Sequence, residues 1–129
     1  MQYDKDKIIV NLREHLKKFS LYKESHSVSV YLFKSGLYIS YCDSHSSQQK
    51  KYFDLEINDD NCHIISPYIE TENGYSNSLA EIIESFCCEE LNCKRFITTP
   101  DIKLKRSGFW SKRGFKYMNA IVLEKSMQD

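Results

Sequence analysis

Hydrophobic positions along the chain recur with two periods, and the changes of period mark the elements. Ile8, Leu12, Leu16 and Phe19 fall at three- and four-residue spacing, which predicts a helix over 4–19 with one core face. Lys17 and Lys18 stand near its end, where cations favour the helix dipole. Val28, Val30 and Leu32 then alternate, Lys34-Ser35-Gly36 turns the chain, and Leu37, Ile39 and Tyr41 alternate again. That pattern predicts a tight hairpin whose other face carries Tyr31, Phe33 and Tyr38. Residues 43–50 are polar and patternless, an exposed loop. Phe53, Leu55 and Ile57 alternate, 58–61 is a turn cluster of Asn and Asp, and Cys62 to Ser66 reads as a fourth strand.

The period changes again between Ile64 and Phe86. Cys62, Ile64 and Ile65 precede Pro67 and Gly74; Leu79, Ile82, Ile83, Phe86 and Cys87 follow at helical spacing. This is a strand, a turn and an amphipathic helix running to Leu91. Ser78 with Glu81 has capping-box spacing, and Ser76 and Asn77 are equally good caps. A helix that begins beside a glycine turn presents free amides and its positive dipole end, the local chemistry of a phosphate site, although most such junctions bind nothing. Further on, 95–98 reads as a short strand, 103–112 as a short basic helix stopped by Gly114, and 115–125 as one closing strand. No repeat or second domain interrupts residues 1–129, a length suited to one domain with a real core.

Composition adds three points. The start, Met-Gln-Tyr-Asp-Lys-Asp-Lys, has no apolar signal region and no apolar run is long enough to span a bilayer, so a cytoplasmic protein is expected. Five cysteines without a Cys-x-x-Cys spacing read as small buried hydrophobes kept reduced. The net charge of zero is a cancellation: 52–93 holds ten acids and no Lys or Arg, whereas 94–129 holds nine bases against three acids. A polarised surface follows.

Three stretches together resemble the GNAT (Gcn5-related N-acetyltransferase) family. Ile65-Ser66-Pro67 is similar to the Val-x-Pro that ends its fourth strand. Gly74-Tyr75-Ser76 and the helix behind it resemble the end of its acyl-CoA loop, with Thr71 where that loop has Gln or Arg. Ser107 to Phe115 resembles its Phe-Tyr-x-x-x-Gly-Phe, with Phe109, Gly114 and Phe115 matching and Trp110 in the place of the tyrosine. The resemblance covers about 28–125 and implies a single α/β (α+β) domain. Its mostly antiparallel, twisted sheet of about six strands would be flanked by helices, the central helix on one face and the N-terminal or last helix on the other. Two lead helices that the family places between its first two strands are missing here.

The function it implies is acyl transfer from acetyl-CoA to an amine, without a metal. Ile65 would align the pantetheine arm, the amides of Gly74, Tyr75, Ser76 and Asn77 would hold the pyrophosphate, and Phe109 and Trp110 would border the cofactor. Glu70 and Glu72 work against this, since carboxylates repel a pyrophosphate. An indole N–H cannot act as the acid that protonates the leaving thiolate. Glu56 and His63, on the strands that lead to the sheet split, are candidates for taking the proton of the amine, with Tyr68 after them and Tyr117 as a replacement acid. Each also has a structural reading: a solvent-facing Glu, a hydrogen-bonded His, a core Tyr. The basic group Lys103, Lys105, Arg106, Lys112 and Arg113 is a solvated helix face, a contact for the 3′-phosphate of CoA, or a docking surface for a protein or nucleic acid. That last reading belongs to the alternative function, a catalytically inactive GNAT-like binding protein. No zinc pattern, Walker loop or Ser-His-Asp grouping is present in the sequence.

Overall fold

The computed structural model describes residues 3–44, 50–65, 75–99, 107–118 and 122–127, with the side chains of 75–77, 107, 108 and 117 left aside. Helix α1 (Lys5–Leu16) starts at Asp4, whose carboxylate accepts the Lys7 N–H at 3.2 Å, and buries Ile8, Leu12 and Leu16. It ends three residues short of the expected Phe19. Lys18 and Phe19 instead donate to His15 and Leu16 in tighter turns that still deliver Phe19 to the core.

Strands β1 (Ser27–Phe33), β2 (Gly36–Asp43), β3 (Lys50–Asn58) and β4 (Asn61–Ile65) form the expected meander. Phe33 pairs with Gly36 across the two-residue loop Lys34-Ser35. A Cβ at Gly36 would stand 2.0 Å from the Ile57 carbonyl oxygen, so only glycine lets β2 start this close to β3. A bulge opposite Tyr41/Cys42 turns both Tyr52 and Phe53 inward, and Tyr52 stacks on Tyr41 with ring centroids 4.8 Å apart.

Helix α2 (Tyr75–Leu91) crosses from β4 to β5 (Arg95–Thr98), which runs parallel to β4. Its Leu79, Ile82, Ile83, Phe86, Cys87 and Leu91 are buried. Ser76, Asn77 and Ser78 fall inside the helix and not ahead of it, because three good cap residues in a row leave the local pattern without a unique start. Asn92, at φ 57°, reverses the chain behind it. After α3 (Ser107–Lys112), Gly114 at φ 97° stops the helix as expected. The expected single closing strand is divided: β6 (Lys116–Tyr117) and β7 (Leu123–Ser126) are antiparallel, and the Met118 N–H donates to the Val122 carbonyl at the neck of the hairpin. Alternation alone does not show where a strand folds back on itself.

The sheet order is β1-β2-β3-β4-β5-β7-β6, six strands of four residues or more and the two-residue β6 at one edge. Every pair is antiparallel except β4 with β5. The fold is therefore an α+β domain with a mostly antiparallel open sheet and three helices.

The helices do not sandwich the sheet as expected. α1 and α2 share one face, joined by Asn11 to Glu90 at 2.8 Å and by the His15 and Phe86 rings at 5.6 Å. Arg113, one residue beyond α3, meets Glu84 on the opposite flank of α2 from α1. Val30, Ile39, Leu55, Ile64, Thr98 and Leu123 lie in one cross-strand row beneath them, each at most 2% exposed. The adjacent row faces away and holds Tyr31, Tyr38, Glu56, His63, Ile97, Glu124 and Lys116. Those residues carry enough polar surface to need no helical cover, and among the described residues no helix supplies one. No described helix is long and apolar enough to cross a membrane.

Candidate functional site

The carboxyl ends of β4 and β5 lie side by side because the two strands are parallel, and α2 starts on the chain that leaves β4. Ladder pairing between these strands runs from Asn61/Arg95 to Ile64/Thr98 and stops there. Thr98, buried under α2, reaches the Ile64 carbonyl with its hydroxyl at 3.4 Å. Ile65 continues β4 one residue further, paired with Asp54 of β3 on one side and with nothing in β5 on the other. It is 36% exposed.

Glu56 and His63, chosen from separate strands, are direct cross-strand partners on the helix-free face. Such partners have side chains within reach of each other. Glu56 is exposed and His63 half-buried. Two rows meet here, since Asp54 pairs with Ile65 and with Ser40 while Tyr38 pairs with Glu56. Sequence reasoning missed Asp54. Its carboxylate is buried, with Lys51 Nζ 3.0 Å from one oxygen and no hydrogen-bond partner for Oδ1. Burial pushes the Tyr38 phenol up to about 12, helped by its hydrogen bond to Asp54 and by the charges of Asp54 and Glu56. A tyrosine so placed stays a neutral donor at any physiological pH. The signal for Asp54 was only its position in the alternation of β3, two residues from Glu56 on the same face.

Tyr117 does not join this group. Its backbone is in β6, three strands from β4, which at a strand spacing of about 4.8 Å is roughly 14 Å. Tyr75, Ser76 and Asn77 form the first turn of α2, where the backbone amides lack helical acceptors. Gly74, Tyr68, Glu70, Glu72 and Thr71 lie outside the described residues, as do Lys103, Lys105 and Arg106.

Trp110 is a core residue, 1% exposed and edge-on to Phe109 at 4.9 Å and Phe115 at 5.0 Å. It anchors α3 to the rest of the domain. Of the basic group, Lys112 is exposed, but Arg113 turns inward with a nitrogen 2.5 Å from Glu84 Oε2, and Lys125 Nζ is 2.7 Å from Oε1 of the same carboxylate. Phe109, Lys112, Arg113 and Lys125 line a depression of about 530 Å³ beside this triad. Glu84 counts in the sequence as one of ten acids in a solvated segment. Yet it shares helical spacing with Ala80, Cys87 and Leu91, and that spacing is the signal that it is buried.

All five cysteines are free thiols, as expected. Cys62 and Cys87 approach to 3.9 Å between sulfurs, and contact with neighbouring thiols, together with burial, holds Cys87 and Cys93 above the usual thiol range. No family model matches the chain, and no match is found among curated proteins.

Proposed function

We propose that this chain is a GNAT-type N-acyltransferase that takes its acyl group from acetyl-CoA, or a close relative that still binds acyl-CoA. The observation that carries the reading is the end of the β4/β5 ladder at Ile64/Thr98, with Ile65 unpaired toward β5 at the carboxyl ends of the one parallel pair among the described strands. Ligands of α/β sheets bind in crevices of this kind. The free backbone edge of Ile65 suits an extended, amide-bearing arm such as pantetheine. The first-turn amides of α2, with Gly74 ahead of them, suit a pyrophosphate. His63, on β4 two residues before Ile65, and its cross-strand partner Glu56 on β3 are the groups offered to accept the proton of an attacking amine as its nitrogen bonds to the acyl carbon and the thiolate leaves.

A second reading, binding without catalysis, is favoured by Trp110. The family's acid is replaced by a side chain buried in the core and unable to give up a proton. The partner is then acyl-CoA alone, or a protein or nucleic acid at the basic surface to which Lys112 belongs.

Calorimetric titration of acetyl-CoA and CoA, with Gly74→Trp as the blocked control, tests both. Micromolar binding lost in the control supports the acyl-CoA reading, and turnover of an amine that Glu56→Gln or His63→Ala abolishes makes it an enzyme. Binding without turnover for any amine leaves the second reading. No heat at near-millimolar ligand sinks acyl-CoA binding altogether.

A further inference from the structure

The edge strand β1 is unusually bare. Ser-Val-Ser-Val-Tyr-Leu-Phe contains no charge, no proline and no bulge, which are the devices that ordinarily keep an edge from pairing. As the first strand of the sheet, it has no strand partner on its outer side among the described residues. Its second half holds three of the domain's most exposed large apolar side chains: Tyr31 at 55%, Leu32 at 48% and Phe33 at 64%.

We infer that β1 is the interface between two copies of this chain, paired antiparallel about a two-fold axis at Val30. The strand is small in its first half and large in its second, so the register that pairs all seven residues is self-complementary. Phe33 lies across from Ser27 of the other copy, Leu32 from Val28, Tyr31 from Ser29, and Val30 from its own equivalent. Each exposed large side chain meets a smaller one, and residues of one face meet residues of the same face. The helix-covered row of Val30 continues from one copy into the next. The nearest formally charged residues on either side of the strand are Glu24 and Lys34, and antiparallel pairing brings Lys34 of each copy toward Glu24 of the other. The zero net charge adds no repulsion. An isologous interface of this kind closes on itself as a dimer and leaves no further edge at β1.

Sedimentation equilibrium of the full chain, from low micromolar to several hundred micromolar, is expected to show a species of twice the 15.3 kDa chain mass. Ser29→Lys with Tyr31→Lys places lysines directly opposite one another in this register and is expected to return the monomer with an unchanged circular dichroism spectrum. Hydrogen exchange on the unaltered chain reads the same contact, since the outward amides of β1 gain protection as concentration rises. A monomer throughout the range, a dimer that survives the double lysine variant, or β1 exchange that ignores concentration each overturns the inference.

Discussion

Glu84 is the point at which three elements of this domain are tied together, and its removal is the sharpest test of the packing described here. The carboxylate is 10% exposed and receives Arg113 of the α3 turn and Lys125 of β7, themselves 16% and 22% exposed. Glu84→Gln keeps the volume but leaves two cations facing a neutral amide in a largely dry site. Breaking a buried ion pair costs roughly 3–5 kcal/mol. The partial exposure of both cations allows some rehydration and points to the lower end, about 3 kcal/mol, or roughly a hundredfold in the folding constant. With a urea m-value near 1.5 kcal/mol/M, the midpoint falls by about 2 M. Trp110 is the single tryptophan and lies three residues from Arg113, so its fluorescence follows the region directly while circular dichroism follows the whole domain. Lys125→Met in the Glu84→Gln background is expected to recover part of the loss, giving a coupling energy above about 1 kcal/mol. A loss below about 1 kcal/mol for Glu84→Gln, or additive effects in the double variant, would refute the reasoning. The triad would then be screened, and α3 would be held by Trp110 and Phe115 alone.

Stability is expected to fall at alkaline pH, because the folded state holds the Tyr38 and Tyr41 phenols above their ordinary value of 10.0, chiefly by burial. The unfolded chain releases these protons first, so the contribution is complete below pH 10 and is lost as pH rises, for Tyr38 through about 12. Urea midpoints measured on either side of pH 10 check this, and Tyr38→Phe should flatten the decline; a flat profile in the parent protein contradicts it. The thiols make a separate prediction: half-buried Cys42 and Cys88 should react with a thiol reagent in the native state, while Cys62, Cys87 and Cys93 wait for unfolding. Mass spectrometry of the labelled chain counts them, and five fast thiols would mean that the α2/β4 contact opens readily.

Much of the fold was legible because burial imposes period. The stripe of Ile8, Leu12 and Leu16, the alternations of β2 to β4 and the stripe of α2 are local consequences of one face meeting a core. The turn at Asn58 to Asn61 was legible for a similar reason, since Asp59 tolerates the φ of 53° that a two-residue connection asks for. Of the candidate site, Glu56, His63 and Ile65 were found as residues but not as neighbours. Their adjacency depends on the register of β3 with β4, in which a slip of one residue would send Glu56 to the opposite face.

The sequence by itself determined the order of most helices and strands, that the chain forms one α+β domain, and that cysteines such as Cys62, Cys87 and Cys93 serve as small core residues. Tertiary structure alone decided that α1 and α2 share a face, that β7 inserts between β5 and β6, that β4 runs on to Ile65 past its pairing with β5, and that Glu84 joins α2, the turn after α3 and β7. The division has a physical cause. Periodicity reports whether a side chain is buried, which each segment settles with its own apolar positions. Which segment buries it, and in what register, is settled by contacts between residues far apart in the chain, such as Glu84 with Lys125, for which no local pattern carries a signal.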